Sequence, residues 1–354
     1  MNNYKSETLN NFDKVRQEFG IIHDLKYIES FYNAPGRYYH NMQHLDEVLC
    51  CLEEYKSDGI FTDREYHIHI VTAIYHDIIY NPKATDNEEK SAEFVKHCTC
   101  SENIKRDVIN LILFTKYNRN PENDLEEDFM RADMCVFEKS FTKQLEFEKK
   151  IQKEYAWVPL AVYVPERIKV LEKIAKLYLG HKDNTCVRPQ KLIEYLKNKK
   201  WNIGVYAGSF YPFTVGHYDV LKQAEKIFDK VIILQSNNGQ KKTNFVWNDA
   251  VEEYVGPLNK VLENFEVHNL SGLITKELDK FKDLGNVTLI RGLRNGSDLL
   301  YEQNYIQTLR DIDPNINVSY FLTKPENAHV SSNMVRELIT LDPKLALKYL
   351  NFPL

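Results

Sequence analysis

Glycine is scarce: the chain has 13 among 354 residues, and none stands between Gly59 and Gly180. Tight turns between strands draw on glycine, so this stretch argues against a sheet and for long helices joined by short links. Cysteine is also sparse. The six, Cys50, Cys51, Cys98, Cys100, Cys135 and Cys186, form no CxxC pair, so neither a zinc ribbon nor a thioredoxin-like site is expected. No run approaches the roughly 20 apolar residues that span a bilayer, and Met1 to Glu7 lack the apolar core of a signal peptide. A cytosolic chain with reduced thiols and no membrane partner is therefore expected. Positive charge is in deficit too. A formal net charge of -5 gives no general reason to bind nucleic acid.

The length suggests two domains, each large enough for its own core. In the first half, apolar residues recur at helical spacing over Tyr27 to Tyr32, Leu45 to Leu52 and Ile68 to Ile79, with Asn81-Pro82, Asn120-Pro121 and Pro165 as punctuation. Between Gly180 and Asn202 the composition turns polar. The expected division is a helical domain over 1–180, a linker over 181–201 with a short helix near Leu192 to Leu196, and a second domain over 202–354.

Four residues of the helical half have the chemistry of a metal site: His44, the adjacent His76 and Asp77, and Asp133. Imidazole nitrogen and carboxylate oxygen suit a divalent transition ion such as manganese, iron, nickel, cobalt or zinc. His76-Asp77 stands between Ala73-Ile74-Tyr75 and Ile78-Ile79-Tyr80, and Asp133 enters Met134-Cys135-Val136-Phe137. Carboxylates in apolar runs need partners. Neighbours on a helix diverge by about 100°, so His76 and Asp77 reach one ion only if it lies against their helix and other helices supply the rest.

These residues resemble the H…HD…D pattern of HD-domain metal-dependent phosphohydrolases. Arg37-Tyr38-Tyr39-His40-x-x-x-His44, Tyr75-His76-Asp77-Ile78-Ile79-Tyr80 and Asn87-Glu88-x-x-Ser91 are similar to a subgroup carrying RxYHxxxH, HDxxY and NExxS. The resemblance covers most of residues 25–140 and implies an all-α domain whose bound metal activates water for phosphoester hydrolysis. It leaves His40 as an alternative to His44 as first ligand, and implies proton transfer by Glu88 and phosphate binding by Arg37. A non-catalytic module that binds a nucleotide or mediates oligomerisation is the competing expectation.

The second half alternates strand and helix. Apolar segments at Ile203 to Ala207, Val231 to Leu234, Phe265 to Val267, Val287 to Ile290 and Val318 to Leu322 are separated by helical stretches, which predicts a parallel sheet covered on both faces. After the first strand, Gly208 to His217 leads into a helix carrying Val220, Leu221, Ala224, Ile227 and Phe228 on one face. Gly208 permits close backbone approach, and the helix start favours an anion. This predicts a phosphate-binding turn with His217 at its end.

Gly208-Ser209-Phe210-x-Pro212-x-Thr214-x-Gly216-His217 resembles the signature of the nucleotidyltransferase superfamily with its (H/T)xGH motif. Asn237 to Lys242 resembles its lysine loop, Arg291-Gly292-Leu293-Arg294 with Asp298, Tyr301 and Glu302 resembles RGLRxxxDxxYE of pantetheine-phosphate adenylyltransferases, and Ser331-Ser332-x-x-Val335-Arg336 resembles their SSxxVR segment. The resemblance implies a Rossmann-like α/β domain that transfers adenylyl from ATP, with Mg²⁺, to a phosphate monoester. It assigns His217 to the α-phosphoryl charge, Lys241 to the incoming phosphate, Arg291 and Arg294 to phosphate clamping, Ser209 to the acceptor, and Ser331 and Ser332 to the triphosphate. Gly208, Phe210, Thr214, Gly216, Asp298 and Glu302 complete the expected binding set. A homo-oligomer, such as a hexamer, is implied. Two departures bear on the acceptor: Tyr211 replaces an acidic residue, and Gln303 to Leu309 lacks the MN pair that lines the pantetheine pocket. 4'-Phosphopantetheine is the expected acceptor, with nicotinamide or nicotinate mononucleotide as the alternative.

Overall fold

A computed structural model of the chain describes residues 4–179, 189–236, 258, 262 and 264–350. It comprises two compact units, Met1–Tyr155 with Pro165–Lys197, and Ala156–Val164 with Asn198–Leu354. The segment Ala156–Val164, which the sequence reading places in the first domain, thus belongs with the second unit. Its anchors are buried charges. Glu266 accepts the Leu160 amide at 2.7 Å, and Lys230 donates to the Ala156 carbonyl at 2.9 Å while standing 3.5 Å from Glu266. Of the expected linker, residues 181–188 lie outside the described set, and Gln190–Asn198 is a helix with Leu192, Ile193 and Leu196 buried.

The first unit is helical, as its lack of glycine implies. Its helices include Leu25–Tyr32, Met42–Ser57, Asp63–Tyr75, Asn87–Val95, Glu102–Phe114, Asp124–Asp133 and Phe141–Glu154. Side chains cap their starts: Asn41 accepts from the Gln43 amide, Thr62 forms a capping box with Glu65, and Asn123 accepts from the Glu126 amide. Helix Asp63–Tyr75 differs from its neighbours. Every residue from Ile68 to Tyr75 is buried, so it is enclosed on all sides and not merely on one face. The sequence reading carries this helix to Ile79. It stops at Tyr75, with His76 as the C-cap residue and Asp77 in the following turn.

The second unit contains a five-stranded sheet of β1 (Trp201–Gly208), β2 (Lys230–Ser236), β3 (Phe265–Leu270), β4 (Gly285–Leu293) and β5 (Asn317–Leu322). All four pairings are parallel, in the order β3-β2-β1-β4-β5. Each strand lies where an apolar segment predicts it. The order reverses at β1, whose two neighbours are β2 and β4, and ligands of such sheets bind beyond the strand ends at this switch point. Helix Val215–Ala224 packs Val220, Leu221 and Ala224 into a core with Tyr206, Phe228, Val231, Ile233 and Ile290. Among the described residues, no helix is long and apolar enough to cross a membrane.

Close strand packing makes a specific demand at the start of β4. Gly285 pairs with Trp201, and a Cβ there would come within 2.1 Å of the Trp201 carbonyl oxygen and 2.3 Å of its nitrogen. Backbone cannot yield as a side-chain tip can, so Gly285→Ala is expected to cost about 1–3 kcal/mol or more through forced strand separation. A lowered urea midpoint checks this.

Candidate active sites

In the first unit, three elements converge. His44 lies in the first turn of helix Met42–Ser57, His76 and Asp77 follow helix Asp63–Tyr75, and Asp133 ends helix Asp124–Asp133. Ligand atoms of His44, His76 and Asp133 all lie within 4.8 Å of one another. His44 Nε2 is 3.1 Å from Asp133 Oδ1 and 3.6 Å from Asp77 Oδ2, and His76 Nε2 is 3.3 Å from Asp77 Oδ2 and 3.5 Å from Asp133 Oδ1. The helix end resolves the divergence of adjacent residues. Past Tyr75 the chain turns, and Asp77 no longer follows helical geometry.

That turn is held by side chains. Arg37 donates to the carbonyls of Asp77 (2.7 Å), Ile78 (2.7 Å) and His40 (3.1 Å). The Tyr32 hydroxyl donates to the Ile74 carbonyl at 3.2 Å, and His76 Nδ1 donates to the Ala73 carbonyl at 2.8 Å. Arg37 therefore spends three donors on backbone, where the sequence reading gives it a phosphate.

The donor set fits a metal. Nδ1 of His76 carries the proton that it gives to Ala73, which leaves a lone pair on Nε2. The Nε2 atoms of His44 and His76 are buried and lack any hydrogen-bond partner, while both face carboxylate oxygens. Buried polar atoms are rarely left unmet, and a hydrogen-bonded Nδ1 with a free, converging Nε2 is how histidine is oriented towards metals. Tyr117 donates to Asp133 Oδ2 at 2.5 Å, orienting that carboxylate. Burial works against charge here, yet the Asp77 and Asp133 carboxylates hold His76 well above the ordinary imidazole value, a preference for positive charge at Nε2 that a bound cation would satisfy in place of a proton.

His40 does not join this grouping. Its Nδ1 is bound by Glu154 at 2.7 Å, and of the two histidines His44 is the one that stands in the close grouping with His76 and Asp133. Glu88 begins helix Asn87–Val95, with Lys116 Nζ at 3.8 Å. Burial raises its carboxyl above the ordinary value, and the charge of Asp77 adds to this against Lys116. Glu154 and Tyr117 carry no local motif, and the sequence reading missed both.

In the second unit, a cleft of about 370 Å³ opens at the switch point. Of the expected residues, Ser209, Thr214, Gly216, His217, Arg294, Asp298, Glu302, Ser331 and Ser332 line it, with Tyr206, Tyr301, Thr323 and Asn333. Lys241 and its loop lie outside the described residues. Phe210 is turned inward. It is 4% exposed, its φ of 44° is unusual for a non-glycine residue, and its ring packs on Tyr206, Phe213 and His217. It shapes the turn from beneath and does not line the cleft.

His217 is the third residue of helix Val215–Ala224, and its Nδ1 accepts from the Thr214 amide at 3.0 Å. An accepting Nδ1 puts the proton of the neutral ring on Nε2, which leaves an N–H donor. Arg294 is forked onto Asp298 at 2.8 and 2.9 Å and borders the cleft. Arg291 is instead bound in bidentate fashion to the buried Glu302, at 2.7 and 2.5 Å, with its guanidinium 5.1 Å from the centre of the Tyr305 ring. Its fork, expected to clamp phosphate, is engaged by a carboxylate. The late serines are also engaged: Ser331 caps helix Ser332–Leu341 by accepting from the Met334 amide, and Ser332 donates to the Pro212 carbonyl at 3.0 Å. Arg336 donates to the Tyr211 carbonyl, so the late segment holds the opening loop at two successive residues.

The cytidylyltransferase-like family profile matches residues 205–338, the span that builds this cleft. A phosphopantetheine adenylyltransferase of Geotalea daltonii is 34% identical over 143 residues, covering 40% of this chain and 84% of that protein. This chain belongs to the phosphopantetheine adenylyltransferase family. Other phosphopantetheine adenylyltransferases agree: that of Cytophaga hutchinsonii is 35% identical over 40% of this chain and 91% of its own length, and that of Mycoplasma capricolum 35% identical over 38% and 95%. Among solved structures, a Plasmodium falciparum nicotinic acid mononucleotide adenylyltransferase aligns over 43% of this chain and 91% of its own, at TM-score 0.32 and 16% identity, too weak a likeness to bear on substrate. Membership in the phosphopantetheine adenylyltransferase family rests on less than half of the chain, and the helical unit stands in addition to it.

Burial, with the charge of Arg294 adding to it, lowers the His217 pKa to about 4. A folded value below the ordinary 6.5 means that the unfolded chain binds the extra proton first, so this group costs stability as pH falls from about 6.5 towards 4. The His217 ring is expected to remain neutral with its proton on Nε2 down to about pH 4, and ¹⁵N-edited NMR of the ring nitrogens checks both tautomer and midpoint. Titration near 6.5 would contradict the geometry.

Proposed function

We propose that the second unit transfers the adenylyl group of ATP to the phosphate of 4'-phosphopantetheine, giving dephospho-CoA and pyrophosphate. The observation that carries this is the cleft itself: His217, Arg294 and two helix starts meet at the switch point of a sheet whose chain is about a third identical to phosphopantetheine adenylyltransferases. An acceptor phosphate oxygen bonds the α-phosphorus as the bond to the β-phosphate oxygen breaks and pyrophosphate leaves. Such transfer is mostly positioning and charge stabilisation. His217 Nε2–H donates to an α-phosphoryl oxygen as charge builds, while Arg294 and the amides opening Val215–Ala224 and Ser332–Leu341 hold the polyphosphate. Lys241 is assigned to the incoming phosphate. Mg²⁺ would arrive with the triphosphate as its counter-charge. Arg291 acts at one remove, as a half-buried partner that fixes Glu302 at the cleft wall.

For the first unit we infer metal-dependent phosphoester hydrolysis of the HD type. The supporting observation is the pair of buried, unpartnered Nε2 atoms facing Asp77 and Asp133. His44, His76, Asp77 and Asp133 would hold a divalent transition ion, which when bound polarises a phosphoryl oxygen and lowers the pKa of water. Glu88, held towards its protonated form, is suited to move the proton.

A pyrophosphate-release assay with ATP and a panel of phosphorylated acceptors tests the transferase. Release with 4'-phosphopantetheine is expected, and His217→Ala should lower kcat about 100- to 1,000-fold, as loss of one donor to transition-state charge does. Release only with nicotinate or nicotinamide mononucleotide would transfer the assignment to that acceptor, in keeping with Tyr211.

The hydrolase reading is checked by elemental analysis of the purified chain beside a phosphatase assay. Near-stoichiometric transition metal is expected, with metal and hydrolysis both reduced at least about tenfold in Asp77→Ala. A metal-free parent with unchanged phosphatase activity in Asp77→Ala would reject it in favour of a non-catalytic module.

A further inference from the structure

Beside the His44, His76, Asp77 and Asp133 grouping stands a polar pair that the hydrolytic role has not used. Glu154 ends helix Phe141–Glu154, and its side chain is fully buried. Oε1 accepts the amides of Tyr39 (2.6 Å) and His40 (3.0 Å), while Oε2 accepts the Tyr80 hydroxyl (2.8 Å) and lies 2.7 Å from His40 Nδ1. A buried carboxylate needs its lone pairs met. These four contacts meet them, and two of them come from His40.

The histidine is fixed as a result. Nδ1 gives its proton to Glu154, one ring face stacks on Tyr80 with centroids 4.2 Å apart, and the His40 carbonyl is held by Arg37. The ring stands edge-on to His44 at 5.8 Å between centroids. Nε2 is then the one ring nitrogen with no hydrogen-bond partner among the described residues. The side chain is 22% exposed, so this atom belongs to a group that solvent and solutes can reach.

A purely packing histidine needs no dedicated carboxylate, and a metal ligand would share the close grouping that His44, His76 and Asp133 form without it. We propose that His40 is a substrate-binding residue of this site, with a protonated Nε2 donating to a phosphoryl oxygen of the ester, and that Glu154 is the positioning residue that fixes the ring and balances its charge. This rests on the hydrolase reading above. The occupant is a phosphate group, because the His40 ring stands against His44 of the grouping, where a bound cation would draw an anion to the same place.

The test uses the full chain loaded with Mn²⁺ and inorganic phosphate as the probe. Calorimetric phosphate affinity is expected to fall about 10- to 100-fold in His40→Asn, the range for loss of a hydrogen bond to a charged group, with metal stoichiometry and melting temperature unchanged. For p-nitrophenyl phosphate the loss should appear in KM more than in kcat. Glu154→Gln should weaken phosphate less, about three- to tenfold by the loss of the charged acceptor, and abolish the downfield Nδ1 proton resonance of His40. Because removing a buried acid can unfold the chain, His40→Asn decides the outcome. Unchanged phosphate affinity in a parent that hydrolyses, or loss of metal with phosphate, would overturn the inference alone. A parent that holds Mn²⁺ but neither binds phosphate nor hydrolyses the ester would overturn the hydrolase reading together with it.

Discussion

An α-helix begins with amides and ends with carbonyls that have no partner of their own, and an apolar interior cannot leave either unmet. Both candidate sites are built on this constraint. In the first unit the enclosed helix Asp63–Tyr75 stops inside the protein, so its last carbonyls and those of the next turn must be taken by side chains. Tyr32, His76 and Arg37 take them. Once those bonds are made the turn has one course, and it carries His76 and Asp77 onto His44 and Asp133. In the second unit the unmet groups are amides. The starts of Val215–Ala224 and Ser332–Leu341 border the cleft, and a polyanion is the ligand that such ends accept.

The two sites consequently have opposite electrostatic character. The first gathers two carboxylates around two lone-pair nitrogens, a donor set suited to a cation. The second gathers Arg294 and helix dipoles, a setting suited to phosphates. Ion pairs within the second site serve orientation more than stability: Arg294 and Asp298 are partly exposed and four residues apart, a pairing worth about 0.3–0.5 kcal/mol. Its bidentate geometry keeps the guanidinium at the cleft edge in one orientation, which reduces the ordering needed when a phosphate arrives.

The parallel sheet was legible in the sequence because buried strands are short apolar runs and the helices between them have their own period. His44 was legible as the residue opening a periodic helix, whereas the divergence of adjacent helical residues was read as an ion lying against a helix that continues through His76-Asp77, and the structure departs from that geometry. The departure took a form that periodicity could not reveal, a helix end, because the donors that terminate it come from Arg37 and Tyr32, about 40 residues away. Glu154 was illegible for the same reason: it lies 114 residues from His40, in an amphipathic helix where a glutamate is unremarkable. The family block at Arg291 to Glu302 was legible as a pattern, yet not in the mutual pairing of Arg291 with Glu302, since a motif records which residues recur and not which of them touch.

The same distinction governs how far family membership reaches towards substrate. In the proposed transferase, nucleotide binding would draw on backbone: free amides at two helix starts and the parallel strand order that brings them together. Side-chain substitutions leave those groups in place. Acceptor binding would draw on side chains, and the chain departs from the family pattern at Tyr211 and over Gln303 to Leu309. Nor is Tyr211 an isolated change. Arg336 holds its carbonyl and Ser332 holds that of Pro212, so the residue is fixed by the late segment that also borders the cleft. A tyrosine ring in place of a carboxylate removes a negative charge from the opening loop and sets an aromatic surface 5.9 Å from the Arg336 guanidinium. On the proposed reading the nucleotide reaction would therefore rest on groups that these substitutions leave in place, whereas the choice of acceptor would fall to the groups they change.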